Sequence, residues 1–412
     1  MNSDRLGPGE KWATGVLFIA VIFVLGVLSA SRWPISSKTI SSDEKRRLAA
    51  CPHICFNLAS LEAFPQGFTA FYNDRFAFRN NLLSAVNFFQ YRAFGSSSSS
   101  QVLAGRHGWL FFRDGGDEET LRGVPVFTRE EVDFFVRTFE ARRAWLAARK
   151  IRYLVFFPPS KCTIYREQVP IGFSKLNERS RQDELLAALR ANTRVEVVDV
   201  RPALLKGKAI APMYYKTDTH WNRIGSFLGY LQVINRIRNW FPAIKPLGTQ
   251  DLKIITYNFG DGDLAAMMGL RDLIPEISLA AKIKAPRLHY SKDPPLPNLS
   301  DPAHARDAFA TEVDDPALPR AFCLRDSFMQ MPYMYFGENF RRIRYQWETG
   351  FPVALIKKEN PDIVIQEVTE RFLARRYLFT NPPEVDRMID STRFAVRPSN
   401  EQIAQTKSVE AD

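Results

Sequence analysis

Cysteine and histidine are both scarce in this chain. It contains four cysteines and five histidines in 412 residues. Four cysteines are too few for a scaffold that depends on disulfides, and Cys51 and Cys55 lack the second ligand pair that a structural zinc site needs. His53, between these two cysteines, is a poor metal candidate for the same reason. The counts exclude a disulfide-rich miniprotein and a zinc finger, and we predict neither a metal nor a cofactor.

Acidic residues are the minority among the charged ones. Asp and Glu number 45 against 56 Lys and Arg, which gives a formal net charge of +11. This surplus favours anionic partners, but charge alone does not choose between nucleic acid, lipid headgroups and an acidic polymer. With 45% hydrophobic and 13% aromatic residues, the chain can bury one large core or two moderate ones. The composition therefore excludes a disordered or fibrous chain.

Only one apolar run in the sequence is long enough to cross a membrane. Residues 12–31 carry no charge, and at about 1.5 Å per residue they span roughly 30 Å of hydrocarbon. We predict one transmembrane helix there, after an N-terminal stub at 1–11. A cleaved signal peptide is the alternative, because Ser29 and Ala30 are small. The positive-inside rule would place the large domain in the cytoplasm, yet long C-terminal domains can be exported behind a first helix, so the sequence leaves the orientation open.

The rest of the chain divides into a juxtamembrane segment, one globular domain and a polar tail. We place these at residues 32–70, 71–385 and 386–412. Within the domain, the segment 286–319 carries seven prolines in 34 positions, which no regular element accommodates. We interpret this segment as an excursion over the surface.

Helical and strand patterns alternate within the domain. Thr128 and Glu131 form the sequence signature of a capping box, which predicts a helix to about residue 150. The apolar run 151–157 fits a buried central strand, and Ser180 begins a second capped helix. Further strands are predicted at 195–200, 321–324 and 363–365. This alternation predicts an α/β fold in which helices cover a mostly parallel sheet.

His220 has the most informative context of the five histidines. It follows Asp218 by two residues and comes just before a helix with an apolar face. A carboxylate at this spacing can accept one imidazole N–H and leave the other nitrogen free as a general base. Alternatively, Asp218 or Thr219 is the cap of the helix that follows. The spacing supports both interpretations equally.

Ser327 is the candidate nucleophile. It stands just past an apolar strand, at the edge of the sheet where open α/β folds place their sites, and its own N–H can help to hold an oxyanion. The alternative is an ordinary serine that caps a helix.

Together, segments spread over about residues 70 to 370 resemble the alginate O-acetyltransferase family, whose members carry an SGNH-hydrolase-like domain. The resemblance is carried by six segments: FYNDRFAFR at 71–79, GRHGWLF at 105–111, FPPSK at 157–161, TDTHWN at 217–222, GDGDL at 260–264 and RDSF at 325–328. It implies a three-layer SGNH-hydrolase-like fold with a Ser-His-Asp triad. In that triad Ser327 is the nucleophile, His220 the base and Asp218 its orienting acid.

The sequence departs from the SGNH pattern at the oxyanion hole. Arg325 occupies the glycine position of the GDS motif, and no glycine-asparagine block supplies the remaining donors. The oxyanion donors therefore stay unassigned.

Other residues of the resembling segments are candidates for binding substrate. Arg75, Arg79 and Lys161 can pair with a uronate carboxylate or form salt bridges within the domain. Arg325 is a further candidate, and Tyr333 can stack on a sugar ring or simply pack. Asp263 is either a site residue or part of a glycine-rich turn.

The resemblance implies an enzyme that transfers acetyl groups onto hydroxyls of an exopolysaccharide such as alginate, through an acetyl-serine intermediate. It implies a bacterial inner-membrane protein with its catalytic domain in the periplasm. Its partners would be a multispanning acetyl-donating membrane protein and a polysaccharide-secretion complex, without nucleic acid. A carbohydrate esterase with the same triad and a non-catalytic scaffold remain alternatives.

Export would permit disulfides in this chain. Cys162 and Cys323 lie next to predicted strands and can be near neighbours, and Cys51 with Cys55 can close a small loop. The sequence decides neither bridge.

Overall fold

The computed structural model describes residues 9, 12–17, 19–20, 23–24, 40–41, 46–53, 57–75, 79–124, 126–173, 175–260, 262–299 and 304–389. Residues 18, 21–22 and 25–31 of the predicted anchor lie outside this part of the chain, as does most of the predicted tail. No helix among the described residues is long and apolar enough to cross a membrane.

The chain forms two compact units. The first consists of residues 1–99 together with 265–273, and the second of residues 100–264 and 274–412. The elements of the first unit are two short antiparallel strands, β1 (Ile40–Ser41) and β2 (Arg46–Arg47), and two helices, α1 (Leu58–Arg75) and α2 (Arg79–Phe94). Ser84 of α2 donates a hydrogen bond to the carbonyl of Gly269 at 2.7 Å, which ties 265–273 to this unit.

The second unit is an α/β domain. Its strands are β3 (Val102–Ala104), β4 (Leu110–Phe112), β5 (Arg152–Phe156), β6 (Glu196–Val198), β7 (Leu252–Phe259), β8 (Glu276–Ile283), β9 (His289–Tyr290), β10 (Phe309–Glu312), β11 (Arg320–Arg325), β12 (Arg342–Trp347) and β13 (Ile363–Glu367). Its helices are α3 (Asp117–Arg122), α4 (Arg129–Ala147), α5 (Lys161–Ile164), α6 (Arg181–Asn192), α7 (Arg201–Gly207), α8 (Arg223–Arg238), α9 (Asp263–Met267, which continues into the first unit), α10 (Tyr333–Gly337), α11 (Val353–Glu359) and α12 (Pro383–Asp386).

A seven-stranded mixed sheet organises this unit, in the order β6-β5-β13-β11-β12-β10-β9. The four pairings from β6 to β12 are parallel, and the pairings of β12 with β10 and of β10 with β9 are antiparallel. The predicted parallel arrangement therefore describes one part of the sheet and not its β10–β9 edge. The pairs β3–β4 and β7–β8 form separate antiparallel ribbons.

Both faces of the central strands are buried, which explains their nearly continuous apolar sequences. Successive side chains of a strand point to opposite faces. Leu154 and Phe156 of β5 join a core cluster with α8, whereas Tyr153 and Val155 join a second cluster with α4 and α6. The sheet thus lies between two layers of helices, as the predicted three-layer fold requires.

The predicted helix starts are confirmed at both capping boxes. Thr128 accepts a hydrogen bond from the Glu131 N–H at 3.2 Å, and the Glu131 carboxylate accepts from the Thr128 N–H at 2.9 Å. Ser180 and Asp183 form the same arrangement at the start of α6. These motifs are local in sequence, so they form in the same way wherever the helix packs.

The interpretation of 286–319 as wholly irregular is wrong. The short strands β9 and β10 lie in this segment and extend the central sheet. Neither strand contains proline, so each can supply the N–H groups that a ladder needs, and the prolines fall in the connections.

The three cysteines within the described residues form no disulfide. Cys162 and Cys323 are buried free thiols, and burial raises the pKa of both. Cys51 is an exposed free thiol, and Cys55 lies outside the described residues.

Thr128→Ala should lower the free energy of unfolding by about 1 kcal/mol, because it leaves an orphan N–H at the start of α4. Urea denaturation measures the change. Thr128→Ser keeps the hydroxyl and should unfold close to the wild-type midpoint. An unchanged midpoint for Thr128→Ala would show that the capping box adds nothing to stability.

Candidate active site

Polar residues follow three neighbouring strands at one edge of the sheet. Ser160 and Lys161 come after β5, Asp326 and Ser327 after β11, and Thr369 to Arg371 after β13. Because these three strands are parallel, their carboxyl ends meet at the same edge. This is the edge at which open α/β folds place their sites.

Asp218 orients His220 through two hydrogen bonds. The imidazole Nδ1 lies 2.7 Å from Asp218 Oδ1, and the backbone N–H of His220 donates to the same oxygen at 2.8 Å. A neutral imidazole that donates through Nδ1 carries its lone pair on Nε2. Nε2 is buried and has no hydrogen-bond partner among the described residues, so it is available to accept a proton.

The interpretation of Asp218 or Thr219 as a helix cap is wrong. The cap of α8 is Asn222, whose side chain accepts from the N–H groups of Ile224 and Gly225 at 3.0 and 2.9 Å. Asp218 is therefore free to act on the imidazole.

Asp263 completes a group of two carboxylates around the imidazole. Its backbone N–H donates to Asp218 Oδ2 at 3.0 Å, and its carboxylate accepts from the N–H and hydroxyl of Thr219 at 2.7 and 2.6 Å. Asp263 Oδ2 lies 3.9 Å from His220 Nδ1. Gly262 permits this approach, because a Cβ there would lie 2.3 Å from the Thr217 carbonyl oxygen. Asp263 is thus part of the turn and part of the site.

Two carboxylates and an imidazole within 4.8 Å are also the residue types of a metal site. N–H and O–H donors already occupy all four carboxylate oxygens of Asp218 and Asp263. These contacts fit a network that orients the imidazole.

Burial and neighbouring charges act in opposite directions on the titration of His220. Burial alone would lower its pKa, but the charge and hydrogen bond of Asp218, with the charge of Asp263, raise the pKa above its ordinary value. Burial alone would raise the pKa of Asp218, and His220 lowers it below its ordinary value. Burial and the Asp218 charge raise the pKa of Asp263. Asp218 is therefore the carboxylate that stays ionised beside the base.

Ser327 begins a 3₁₀ turn, and its neighbour Asp326 caps that turn. The Asp326 carboxylate accepts from the N–H groups of Phe328 at 2.9 Å and Thr369 at 2.8 Å. The alternative of Ser327 as a helix cap is therefore wrong. Ser327 is partly exposed, and its hydroxyl has no hydrogen-bond partner among the described residues.

Residues 215–221 carry Asp218 and His220 and are called the base segment. The turn that carries Ser327 contacts this segment through Phe328. The centroids of the Phe328 and His220 rings lie 5.0 Å apart, and Trp221 Nε1 donates to the Phe328 carbonyl at 2.9 Å. The structure shows no hydrogen bond between Ser327 and His220. The observed group is Asp218, His220 and Asp263, so the Ser-His-Asp triad stays a prediction.

Lys161 holds the base segment through hydrogen bonds to its backbone. Its buried ammonium donates to the carbonyls of Tyr215, Lys216 and Asp218 at 3.1, 3.0 and 2.6 Å. These bonds use all three N–H donors, so the ammonium holds the loop and has no donor left for a uronate. Burial lowers the pKa of Lys161 to about 8, which leaves it mostly charged at neutral pH.

Of the other candidates for binding substrate, Arg325 and Tyr333 have buried side chains. Arg325 is buried and donates to the carbonyls of Ala305 and Asp307, both at 3.1 Å, so it holds the proline-rich segment. Tyr333 is buried, and burial raises its pKa. Arg79 belongs to the first unit, and the side chain of Arg75 lies outside the described residues.

Sequence reasoning missed Arg371, Asp117 and Glu370. Arg371 pairs with Asp117 at 3.2 Å, and the Glu370 carboxylate accepts from the Ser160 N–H at 2.9 Å. Burial raises the pKa of Glu370 to about 7. One signal was present, because Glu370 and Arg371 follow a predicted strand just as Ser327 does.

Residues 102–293 match the family model of the SGNH hydrolase-like domain of the acetyltransferase AlgX. This match confirms the resemblance inferred from the sequence and defines an SGNH-like α/β domain. The matched segment contains Lys161, Asp218, His220 and Asp263, and it ends before Ser327.

Solved structures resemble the chain at low sequence identity. PatB1 of Bacillus cereus is 16% identical with a TM-score of 0.49, and the match covers 66% of this chain and 96% of PatB1. The O-acetyltransferase domain of Pseudomonas putida AlgJ is 16% identical with a TM-score of 0.45, covering 71% and 97%. Pseudomonas aeruginosa AlgX is 14% identical with a TM-score of 0.42, covering 71% and 66%. No curated protein matches the chain.

Lys161→Met should lower activity at least tenfold and the free energy of unfolding by on the order of 3 kcal/mol, because it leaves buried carbonyls without a donor. Enzyme assay and urea denaturation measure the two effects. Lys208→Met is the matched control. Lys208 also donates to a backbone carbonyl, that of Ile164 at 2.6 Å, but it donates no hydrogen bond to the base segment. Equal activity loss in both variants would contradict the role of Lys161.

Asp263→Asn should shift the acid limb of the pH profile of kcat/KM to lower pH. A general base must be neutral, so activity falls as pH drops through the pKa of His220, which lies above its ordinary value. Removing the Asp263 charge lowers that pKa, so activity persists to lower pH. Profiles between about pH 5 and 9 measure the shift. Asp314→Asn, at an exposed carboxylate, is the control; a shift to higher pH in Asp263→Asn would contradict the argument.

Proposed function

We propose that this protein is an O-acyltransferase that moves acetyl groups onto hydroxyls of an exopolysaccharide through an acetyl-serine at Ser327. The observation that carries the proposal is the free Nε2 of His220. It belongs to an imidazole fixed by Asp218, and the ring of this imidazole contacts the residue after Ser327. The acetyltransferase family match over 102–293 supports the same reaction class.

The chemistry proceeds in two displacements. Ser327 Oγ attacks the acetyl carbonyl carbon of the donor, and His220 Nε2 takes the serine proton. The tetrahedral intermediate collapses, the bond to the donor breaks, and the leaving group takes the proton from His220. In the second half, His220 accepts the proton of a sugar hydroxyl, whose oxygen attacks the acetyl-serine. The bond between the acetyl carbon and Ser327 Oγ breaks, and His220 returns the proton to Oγ.

The acceptor that we propose is an acidic polysaccharide of the alginate type. The net charge of +11 would attract such a polymer over a distance set by the ionic strength. AlgX and AlgJ, named in the comparisons, are described as an acetyltransferase and an O-acetyltransferase domain. We further propose a location at the bacterial inner membrane with the domain in the periplasm, an N-terminal membrane anchor, and an acetyl-donating membrane protein within a secretion complex as partner.

Incubation of the wild-type protein with a chromogenic acetyl ester should add one acetyl group, and peptide mass spectrometry should place it on Ser327. Ser327→Ala should lose this adduct, because it removes the attacking oxygen. Ser160→Ala is the matched control. Its hydroxyl donates to Asp117 at the same sheet edge, so the adduct should persist in this variant. An adduct on Ser160, or none in the wild type, would overturn the acetyl-serine proposal.

The fate of the acetyl group separates transferase from esterase. The acetyl-enzyme should pass its acetyl group to an acidic oligosaccharide in preference to water, measured as acetylated product against free acetate. Release of free acetate alone would identify an esterase. A wild-type protein that binds polysaccharide but never acetylates would identify a scaffold.

A further inference from the structure

We propose that Arg371 is a catalytic residue that stabilises the negative charge formed on the acetyl carbonyl oxygen during transfer through Ser327. This inference rests on the proposed function. It assigns a donor to the oxyanion, for which the sequence offered no glycine-asparagine block. A fixed cation beside a developing anion lowers the barrier without reorganisation at the moment of reaction.

The position of Arg371 relates it to both the nucleophile and the base. It follows β13, which pairs directly with β11, the strand that leads to Ser327. Its guanidinium carbon lies 5.6 Å from the centroid of Phe328, the ring that also contacts His220 at 5.0 Å. Phe328 immediately follows Ser327. Phe328 is therefore close to both the cation and the base, and it is the residue next to the nucleophile in sequence.

A small cavity lies beside Arg371 and Phe328. Thr219, Phe328 and Arg371 line it together with Phe111, Phe112, Asp117, Ser160, Lys161 and Cys162. Thr219 stands between Asp218 and His220. Arg371 therefore lines a cavity that the segment carrying His220 also lines, through Thr219.

Most of the hydrogen-bonding capacity of Arg371 is unused. A guanidinium has five N–H donors. Among the described residues, its side chain makes one hydrogen bond, from Nη1 to Asp117 Oδ2 at 3.2 Å. The other N–H groups are available to an oxygen that enters the cavity.

The backbone of Arg371 is fixed by close packing. Gly116, just before α3, adopts φ +98°, and a Cβ there would lie 2.3 Å from the Arg371 carbonyl oxygen. Only glycine permits this approach. Packing against Gly116 therefore fixes the backbone of Arg371, and the ion pair with Asp117 fixes its guanidinium.

The charge of Arg371 is permanent under working conditions. Burial alone would lower its pKa, but Asp117, Asp326 and Asp263 raise the pKa above its ordinary value. When Ser327 Oγ bonds to the acetyl carbon and its proton passes to His220, the carbonyl π electrons move to oxygen. Arg371 stabilises that charge until the electrons return and the donor's leaving group departs with the proton.

A structural ion pair with Asp117 is the competing explanation. Asp117 and Arg371 are 254 residues apart in sequence, and their bond ties α3 to the segment after β13. A purely structural role predicts that breaking the pair from either end has the same effect. A catalytic role predicts that loss of the arginine is much worse for kcat than loss of the aspartate.

The experiment compares Arg371→Met, Arg371→Lys and Asp117→Asn in hydrolysis of a neutral chromogenic acetyl ester, with thermal stability measured in parallel. We expect Arg371→Met to lower kcat by about 10²–10³-fold with KM nearly unchanged. Arg371→Lys should recover part of this loss, and Asp117→Asn should lower kcat less than tenfold at a similar loss of stability. Arg375→Met, at the arginine over Phe372 one turn further along, is the matched control and should keep wild-type kcat.

The pH profile supplies a second readout, which reports the charge of Arg371 beside His220 and not its contact with the oxyanion. Among the charges around His220, Asp218 and Asp263 raise its pKa and Arg371 lowers it. Arg371→Met should therefore shift the acid limb of kcat/KM to higher pH, and Arg371→Lys should not.

Four outcomes would overturn the inference. Equal kcat losses in Arg371→Met and Asp117→Asn would identify a structural ion pair. An effect of Arg371→Met confined to KM for an acidic acceptor, with ester hydrolysis intact, would identify acceptor recognition. A wild-type protein that forms no acetyl-serine would overturn the proposed function together with this inference, whereas an active wild type with an equally active Arg371→Met would overturn this inference alone.

Discussion

A buried ammonium holds the loop on which the candidate site depends. Lys161 donates to three carbonyls between Tyr215 and Asp218, and this loop carries the imidazole and its acid. Burying a lysine is costly unless its charge is compensated, and here carbonyl dipoles and the nearby Asp218 and Asp263 carboxylates compensate it. A neutral residue at 161 would leave the carbonyls unsatisfied. The same contact therefore maintains the loop geometry and the local charge balance.

The site can be described as an ordered arrangement of alternating charges. Lys161 donates to the Asp218 carbonyl, and the Asp218 carboxylate accepts from His220. Arg371 and Asp117 form an ion pair and both line the cavity that Thr219 also lines. Asp218 and Asp117 each contact an imidazole or a guanidinium, and the Lys161 charge is compensated by carbonyl oxygens. Among the described residues of the site, His220 Nε2, Glu370 Oε1 and the remaining N–H donors of Arg371 have no hydrogen-bond partner. The first can accept a proton, and the N–H donors of Arg371 can bind an anion. Acyl transfer through a serine requires these two capacities.

Local motifs were predictable from the sequence, and long-range contacts were not. The capping box at Thr128 depends on residues three positions apart, so it was visible in the sequence and is present in the structure. The apolar run before Pro158 likewise gave β5 within a residue at each end. The caps Asn222 and Asp326 were not among the residues that the sequence offered as alternatives, which were Asp218 or Thr219 and Ser327, because several polar side chains can cap each helix start. The role of Arg371 depends on Asp117, far away in sequence, and no local pattern indicates that pair.

The division of the site among segments limits what the family match supports. The matched residues 102–293 include the base, its acid and the supporting lysine, whereas Ser327 and Arg371 lie beyond them. The match therefore covers the part of the candidate site that holds Asp218 and His220, and the sheet positions the part that holds Ser327 and Arg371. That geometry comes from the sheet, because the parallel pairing of β11 with β13 brings Ser327 and Arg371 to one edge. The pairing of β13 with β5 brings Lys161 there as well. The central parallel strands thus bring Ser327, Arg371 and Lys161 to one edge, and the loop that Lys161 holds adds His220 and Asp218.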